Sequence, residues 1–221
     1  MNSHSLEIDS IIKSFGTVNL LTDVYLRCNT GDIIGLFGRN GEGKTVLLKI
    51  IFGTMNADQK FIRLDETLRL SSPYTHKGTI SFLPQDSFLP KDLRVRQVVK
   101  LYLPATMESA FLKDDEVVQG AMSMKVKSLS DGIKRYLEIK LLCFNESKFL
   151  LLDEPFTYLS PLLKENTKKL IADCSNKKGI IITDHNYEDV CDISTKKVLL
   201  KEGVLKVINE MADLRYGGYC R

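Results

Sequence analysis

The sequence is poor in the features that would mark a disulfide scaffold, a zinc module or a membrane span. Its five cysteines, Cys28, Cys143, Cys174, Cys191 and Cys220, are an odd and scattered set without a C-x-x-C pair or a nearby histidine in ligand register. That pattern points to free thiols in a reducing compartment. No apolar run approaches the roughly 20 residues needed to cross a bilayer. The amino-terminal Met1-Asn-Ser-His-Ser-Leu-Glu-Ile lacks the charged-then-apolar order of a secretion leader. The expected location is therefore cytosolic, with any membrane role peripheral. Charge of one sign is also scarce: a net charge of +3 and a pI near 8.5 are too weak to imply nucleic acid. Lys168-Lys169, Lys177-Lys178 and Lys196-Lys197 read as solvated faces. Internal repeats and linkers are missing, so 221 residues with 43% hydrophobic content suggest one compact domain with room for a lobed insertion.

What is present is more specific. Gly38-Arg-Asn-Gly-Glu-Gly-Lys-Thr45 fits the G-x-x-x-x-G-K-[ST] phosphate-binding loop at every fixed position. The apolar run from Asp32 to Phe37 before it suits a buried strand, and Val46 to Phe52 after it reads as a helix stopped by Gly53. Gly38, Gly41 and Gly43 let successive N–H groups converge on an anion at the positive end of that helix. The charge of Lys44 suits β- and γ-phosphates, and the Thr45 hydroxyl is a hard oxygen ligand for Mg²⁺. The chain is expected to bind a nucleoside triphosphate.

Around this loop, Leu6–Ile12, Val18–Cys28 and Phe61–Leu64 read as strands of a flanking antiparallel sheet. Thr79–Leu83 runs into Pro84-Gln85. Leu93–Leu103 changes to helical period with Val95, Val98, Val99 and Tyr102 on one face, and the stretch to Lys127 continues as a helical insertion. Ile133–Phe144 is a predicted helix, Phe149–Leu152 and Ile180–Ile182 are predicted buried strands, and a helix from Pro161 to about Cys174 lies between them. Val198–Val207 reads as a hairpin turning near Gly203, followed by a polar tail from Met211 to Arg221.

Phe149-Leu-Leu-Leu-Asp-Glu-Pro155 delivers two acids to the carboxyl end of its strand, where open α/β sheets bind ligands. Because side chains alternate along a strand, Asp153 and Glu154 are expected to take separate jobs, one toward Mg²⁺ and one toward water. Ser130-Asp-Gly-Ile-Lys-Arg135 looks like a serine-capped helix start. Thr183-Asp-His185 places an imidazole on the same sheet edge as the two acids.

In this order the motifs resemble the ATP-binding cassette family, specifically a transporter nucleotide-binding domain, over essentially the whole chain. The resemblance implies an α/β P-loop NTPase fold of the ABC type. Its parts would be a mainly parallel core sheet, an antiparallel β subdomain and a helical subdomain inserted at about 88–135. It implies that Gly38–Thr45 is the Walker A loop, with Gly38, Arg39, Asn40, Gly41, Glu42, Gly43, Lys44, Thr45 and Val46 around the phosphates. Gln85 would be the Q-loop glutamine, Leu129–Ile133 the signature, Phe149–Glu154 the Walker B strand and His185 the switch histidine. Phe15 sits where the family stacks an aromatic on adenine. By the same resemblance Glu154 polarises water, Lys44 and His185 steady the γ-phosphate, and Thr45, Gln85 and Asp153 organise Mg²⁺. Ser130 and Gly132 would act on the nucleotide of a second copy, or of a homologous cassette, in a head-to-tail dimer. ATP and Mg²⁺ are the implied cofactors. An integral membrane transporter subunit is the implied partner, nucleic acid is not expected, and the implied location is cytoplasmic, on the inner face of the membrane. Phe88 and Leu89, after Gln85, would anchor that partner.

Two positions depart from the family. Asp131 replaces a glycine of the signature. A first-turn carboxylate favours its own helix by about 0.3–1 kcal/mol, whereas repulsion from a polyphosphate at roughly 6 Å and an effective dielectric constant of about 20 is near 3 kcal/mol. Weakened dimer closure is expected. Ser160 stands where the family has an aspartate that connects the two sites; it keeps the helix cap ahead of Pro161 and loses the charge. Two other readings compete with an ATP-hydrolysing transporter subunit: a soluble ABC-type switch acting on a protein or nucleic-acid complex, and an ATP-binding module with weak hydrolysis.

Overall fold

A computed structural model describes residues 3–69 and 73–208. In chain order it contains β1 (Ser5–Phe15), β2 (Val18–Asn29), β3 (Ile33–Phe37), α1 (Lys44–Phe52), β4 (Gln59–Leu64), β5 (Leu68–Arg69), β6 (Ile80–Leu83), α2 (Val95–Tyr102), α3 (Glu108–Leu112) and α4 (Glu116–Ala121). The remainder is α5 (Asp131–Phe144), β7 (Phe149–Asp153), α6 (Pro161–Ser175), β8 (Gly179–Thr183), α7 (Tyr187–Ile193), β9 (Lys196–Lys201) and β10 (Val204–Ile208).

Two sheets divide the strands. The larger has the order β10-β9-β3-β8-β7-β6, parallel throughout except for the antiparallel β9–β10 hairpin at its edge. The smaller, β2-β1-β4-β5, is antiparallel. Every residue of β3, β7 and β8 is buried, as expected for central parallel strands covered on both faces. On one face α1 packs with Leu47, Leu48, Ile50 and Ile51 between the two sheets. On the other, α5, α6 and α7 contribute Ile139, Ile171 and Val190. Full burial of each such side chain is worth roughly 1.5–3 kcal/mol.

A third apolar cluster joins Val95, Val98 and Val99 of α2 to Phe111 of α3, Val118 of α4 and Leu137 and Leu141 of α5. The face expected on α2 is the one it buries. Leu89 is a member of this cluster and is buried, while the Phe88 ring packs on Tyr102 at 5.6 Å between centroids. The expectation that these two anchor a partner is thereby corrected: the loop hydrophobics turn into their own core.

Two lysines read as solvated are also corrected. Lys178 is buried, and its Nζ donates to Leu142 O (2.8 Å), Asn145 O (2.8 Å), Asn145 Oδ1 (2.7 Å) and Ser147 Oγ (3.1 Å). It satisfies carbonyls that the end of α5 leaves without helical partners. Lys168 bridges Asp189 and Asp192 between α6 and α7. Cys28, Cys143 and Cys174 are buried free thiols; Cys220 and the tail from Met211 lie outside the described residues. Among the described residues no helix is long and apolar enough to cross a membrane.

Candidate nucleotide site

The glycine loop joins β3 to α1. Gly38 and Gly43 have φ of 154° and 101°, a region that side chains disfavour. A Cβ at Gly38 would come within 2.7 Å of Leu200 O on β9, and one at Gly43 within 3.0 Å of Leu20 on β2. The loop is thus seated between the sheet and β2 in a shape that requires glycine. Lys44 folds back across it, with Nζ 2.6 Å from Gly38 O and 3.2 Å from Arg39 O. Burial lowers the Lys44 pKa from its ordinary value, against the pull of Glu154, Asp153 and Glu42.

Opposite the loop stand the groups carried by the carboxyl ends of the parallel strands. Thr45 Oγ1 donates to Asp153 Oδ1 at 3.1 Å. Gln85, just past β6, gives Nε2 to Thr45 Oγ1 at 3.3 Å and to Glu154 Oε1 at 2.8 Å. His185, just past β8, has Nε2 2.8 Å from the same Glu154 Oε1. Asp153 and Glu154 take different neighbours, although Glu154 lies past the end of β7, where strand alternation no longer applies. Asp153 faces Thr45, and Glu154 swings to Gln85 and His185 on a backbone with φ of 54°. For a residue bearing a Cβ that left-handed conformation costs of the order of 1–3 kcal/mol unless its surroundings hold it. Here Glu154 N donates to Thr183 O at 2.8 Å.

These groups line one cleft of about 420 Å³, formed by Leu20, Asn40, Gly41, Gly43, Lys44, Thr45, Val46, Gln85, Asp153, Glu154 and His185. Burial, first, and the neighbouring Glu154 push the Asp153 carboxyl up to about 6, with the Thr45 hydrogen bond opposing them. Asp153 Oδ2 is buried without a hydrogen-bond partner. A hydroxyl, a carboxylate with one unsatisfied buried oxygen and a nearby amide form a hard-oxygen donor set that fits Mg²⁺.

The remaining expected residues lie outside this cleft. Glu42 turns away from the cleft and accepts from Glu202 N in the β9–β10 turn at 3.0 Å. Arg39 and Gly38 back the loop without lining the cleft. Phe15 ends β1, half exposed, with Lys13 Nζ 4.8 Å above its ring. Ser130 and Gly132 do not line this cleft either. Ser130 Oγ caps α5 by accepting from Ile133 N at 3.3 Å. A Cβ at Gly132 would meet Tyr158 O at 2.7 Å. Asp131 is largely exposed and pairs with Lys134 at 2.9 Å. Ser160 caps α6 through Leu163 N.

The sequence reading omitted Leu20, Asp184 and Arg135. Asp184 accepts from Phe156 N (2.9 Å) and Asn186 N (3.0 Å) and so frames the loop carrying His185. Nothing in the local pattern of a strand leucine or a helix arginine distinguishes these two, whereas Asp184 stood beside His185 in a segment already singled out.

The ABC transporter family model matches residues 21–157, which hold the glycine loop, Gln85, Ser130 and both acids. The lipopolysaccharide export system ATP-binding protein LptB of Haemophilus influenzae is 30% identical over 210 residues, covering 90% of this chain and 87% of its own. A probable ABC transporter ATP-binding protein of Azorhizobium caulinodans is 28% identical over 213 residues, covering 91% and 75%. In fold, the chain resembles a solved ATP-binding subunit of an ABC transporter, with a TM-score of 0.83, 23% identity and coverage of 97% and 93%. It also resembles an ATP-bound bacterial Atm1-family ABC exporter, with a TM-score of 0.84 and 16% identity, covering 99% of this chain and 41% of that one.

Proposed function

This chain belongs to the ABC transporter family as an ATP-binding, ATP-hydrolysing subunit that powers a separate membrane component, and we propose how its residues divide that work. Backbone N–H groups of the glycine loop and Lys44 hold the β- and γ-phosphates. Glu154 orients and polarises the attacking water, while His185 steadies the γ-phosphate. Thr45 Oγ1, the Asp153 carboxylate and the Gln85 amide oxygen would hold Mg²⁺. When bound, that ion neutralises charge on the phosphates. Phe15 offers its exposed ring face to the base. The region at about 88–135 acts as a helical subdomain inserted in the core.

The observation that supports this division is the convergence on one carboxylate oxygen. Glu154 Oε1 lies 2.8 Å from both Gln85 Nε2 and His185 Nε2, beside the Thr45–Asp153 pair. Since little covalent chemistry is asked of the protein, such positioning supplies most of the acceleration. Retention of all three groups argues for hydrolysis over a module that only binds.

The cleft uses Ser130 and Gly132 of a second copy, or of a homologous cassette, in a head-to-tail dimer. Asp131 faces the partner's nucleotide with its charge partly offset by Lys134. LptB, named above, serves lipopolysaccharide export; for this chain, cargo and direction reside in the membrane component. The subunit works at the cytoplasmic face of the membrane, where ATP is available.

Phosphate release by the purified chain is the test. Glu154→Gln is expected to lower turnover by at least about 10²-fold while retaining bound ATP. Turnover equal to the parent chain would remove Glu154 from the role given to it here.

A further inference from the structure

The Arg135 guanidinium is 4% exposed and touches neither the cleft nor solvent to any useful extent. It begins on α5, the helix capped by Ser130, and ends against two other segments. Nη1 donates to Pro84 O at 2.7 Å, the carbonyl immediately before Gln85. Nη2 donates to Asp153 O at 2.6 Å and Glu154 O at 3.0 Å. Glu138, one turn further along α5, pairs with Nη1 at 3.4 Å and accepts from Phe88 N at 3.2 Å on the far side of Gln85. Burial draws the Arg135 pKa down and raises that of Glu138, and each partner opposes the shift of the other.

A cation this deep is costly to desolvate unless its acceptors are held in place. Its acceptors here belong to the backbones that carry two cleft residues, Gln85 and Glu154. Glu154 has a left-handed backbone, and Gln85 lies on the loop between Pro84 and Phe88. A planar fork fits this task where a single ammonium would not, because it addresses the Pro84, Asp153 and Glu154 carbonyls from fixed directions. Among the described residues, its hydrogen bonds go to Pro84, Asp153, Glu154 and Glu138, none of them in the glycine loop.

We infer that Arg135 is a positioning residue for hydrolysis, holding Glu154 and Gln85 in one frame with the helix that starts at Ser130. It sets the orientation of the groups that act on water and leaves nucleotide affinity to the glycine loop. Displacement of α5 would be felt at both residues together, through one side chain. The inference rests on the roles proposed above for Glu154 and Gln85.

The test separates turnover from binding in the purified chain. kcat is measured by phosphate release and the Kd of a fluorescent ATP analogue by titration, for Arg135→Met, Arg135→Lys and Glu154→Gln in parallel. The expected result for Arg135→Met is a kcat lowered by roughly 10- to 100-fold, the cost of misplacement by about 1 Å. Its Kd should change by less than about threefold, and Arg135→Lys should recover part of kcat. If Arg135→Met fails to fold, Arg135→Lys decides alone: reduced kcat with unchanged Kd supports the inference. Parental kcat in the folded Arg135 variants overturns it, as does a Kd that weakens in step with kcat. Retained turnover in Glu154→Gln would instead remove the underlying reading of the site. Inactive Glu154→Gln beside fully active Arg135→Lys removes the role of Arg135 alone.

Discussion

Asp153 shows how one residue carries both structure and chemistry. Its folded pKa, near 6, lies above its ordinary value of 3.8 because the charged form is buried. Folding therefore takes up a proton at this group between about pH 4 and pH 6. Its stabilising contribution is full below about pH 4 and is lost as pH rises through about 6. A shift of this size corresponds to about 3 kcal/mol. Urea unfolding without nucleotide or divalent cation should show that decline, and Asp153→Asn, which does not titrate, should flatten it. An unchanged slope in the variant would place the proton elsewhere. Because a carboxylate must lose its proton to ligate a cation, added Mg²⁺ and ATP should stabilise the parent chain more at pH 7 than at pH 5.

At the scale of elements, the helical segment is held by a buried polar cluster as well as by its valines. Asp115, the cap of α4, accepts from Val118 N at 3.0 Å and from Tyr136 Oη at 2.8 Å, and is paired with buried Lys140 on α5. Burial raises the Asp115 pKa, but the hydrogen bonds from Lys140, Val118 and Tyr136 outweigh it and hold the net value below the ordinary one. This stabilisation is present above about pH 4 and is lost as pH falls through the depressed folded value. Asp115→Ala leaves the Lys140 ammonium buried without its carboxylate and should cost about 3–5 kcal/mol. A lowered urea midpoint would register that loss, and a midpoint within error of the parent would mean that Lys140 finds another acceptor. None of this was legible beforehand, since the acid and its partners are 21 and 25 residues apart. The helices α3, α4 and α7 span only five to seven residues, too few for a periodic signal. By contrast α2, α5 and α6 announced themselves through apolar spacing and, in α5 and α6, a serine cap.

On the scale of the whole molecule, the head-to-tail dimer proposed above would bring Ser130 of another chain to complete the cleft. With ATP, Glu154→Gln is expected to elute as a dimer on size-exclusion chromatography. Adding Asp131→Gly should lower the ATP concentration at half-dimerisation by about two- to fivefold, the effect of one solvent-screened charge. The Lys134 pair restrains the size of this gain. Half-dimerisation at the same ATP concentration in both proteins would show that Asp131 does not oppose closure.

By itself the sequence determined the glycine loop, the apolar strand ending in two acids, the serine caps and the positions of Gln85 and His185. Each of these rests on contacts within a few residues or on a residue type required by local geometry. Only the tertiary structure decided that Glu154 meets both Gln85 and His185, that Glu42 turns to the β9–β10 hairpin, and that Phe88 and Leu89 face inward. It also placed β9 beside β3 as a parallel core strand, where the pattern had indicated only a hairpin. Buried Lys178 and Arg135 make the same point. A long cationic side chain is locally compatible with water or with carbonyls, and only the surrounding fold selects between them.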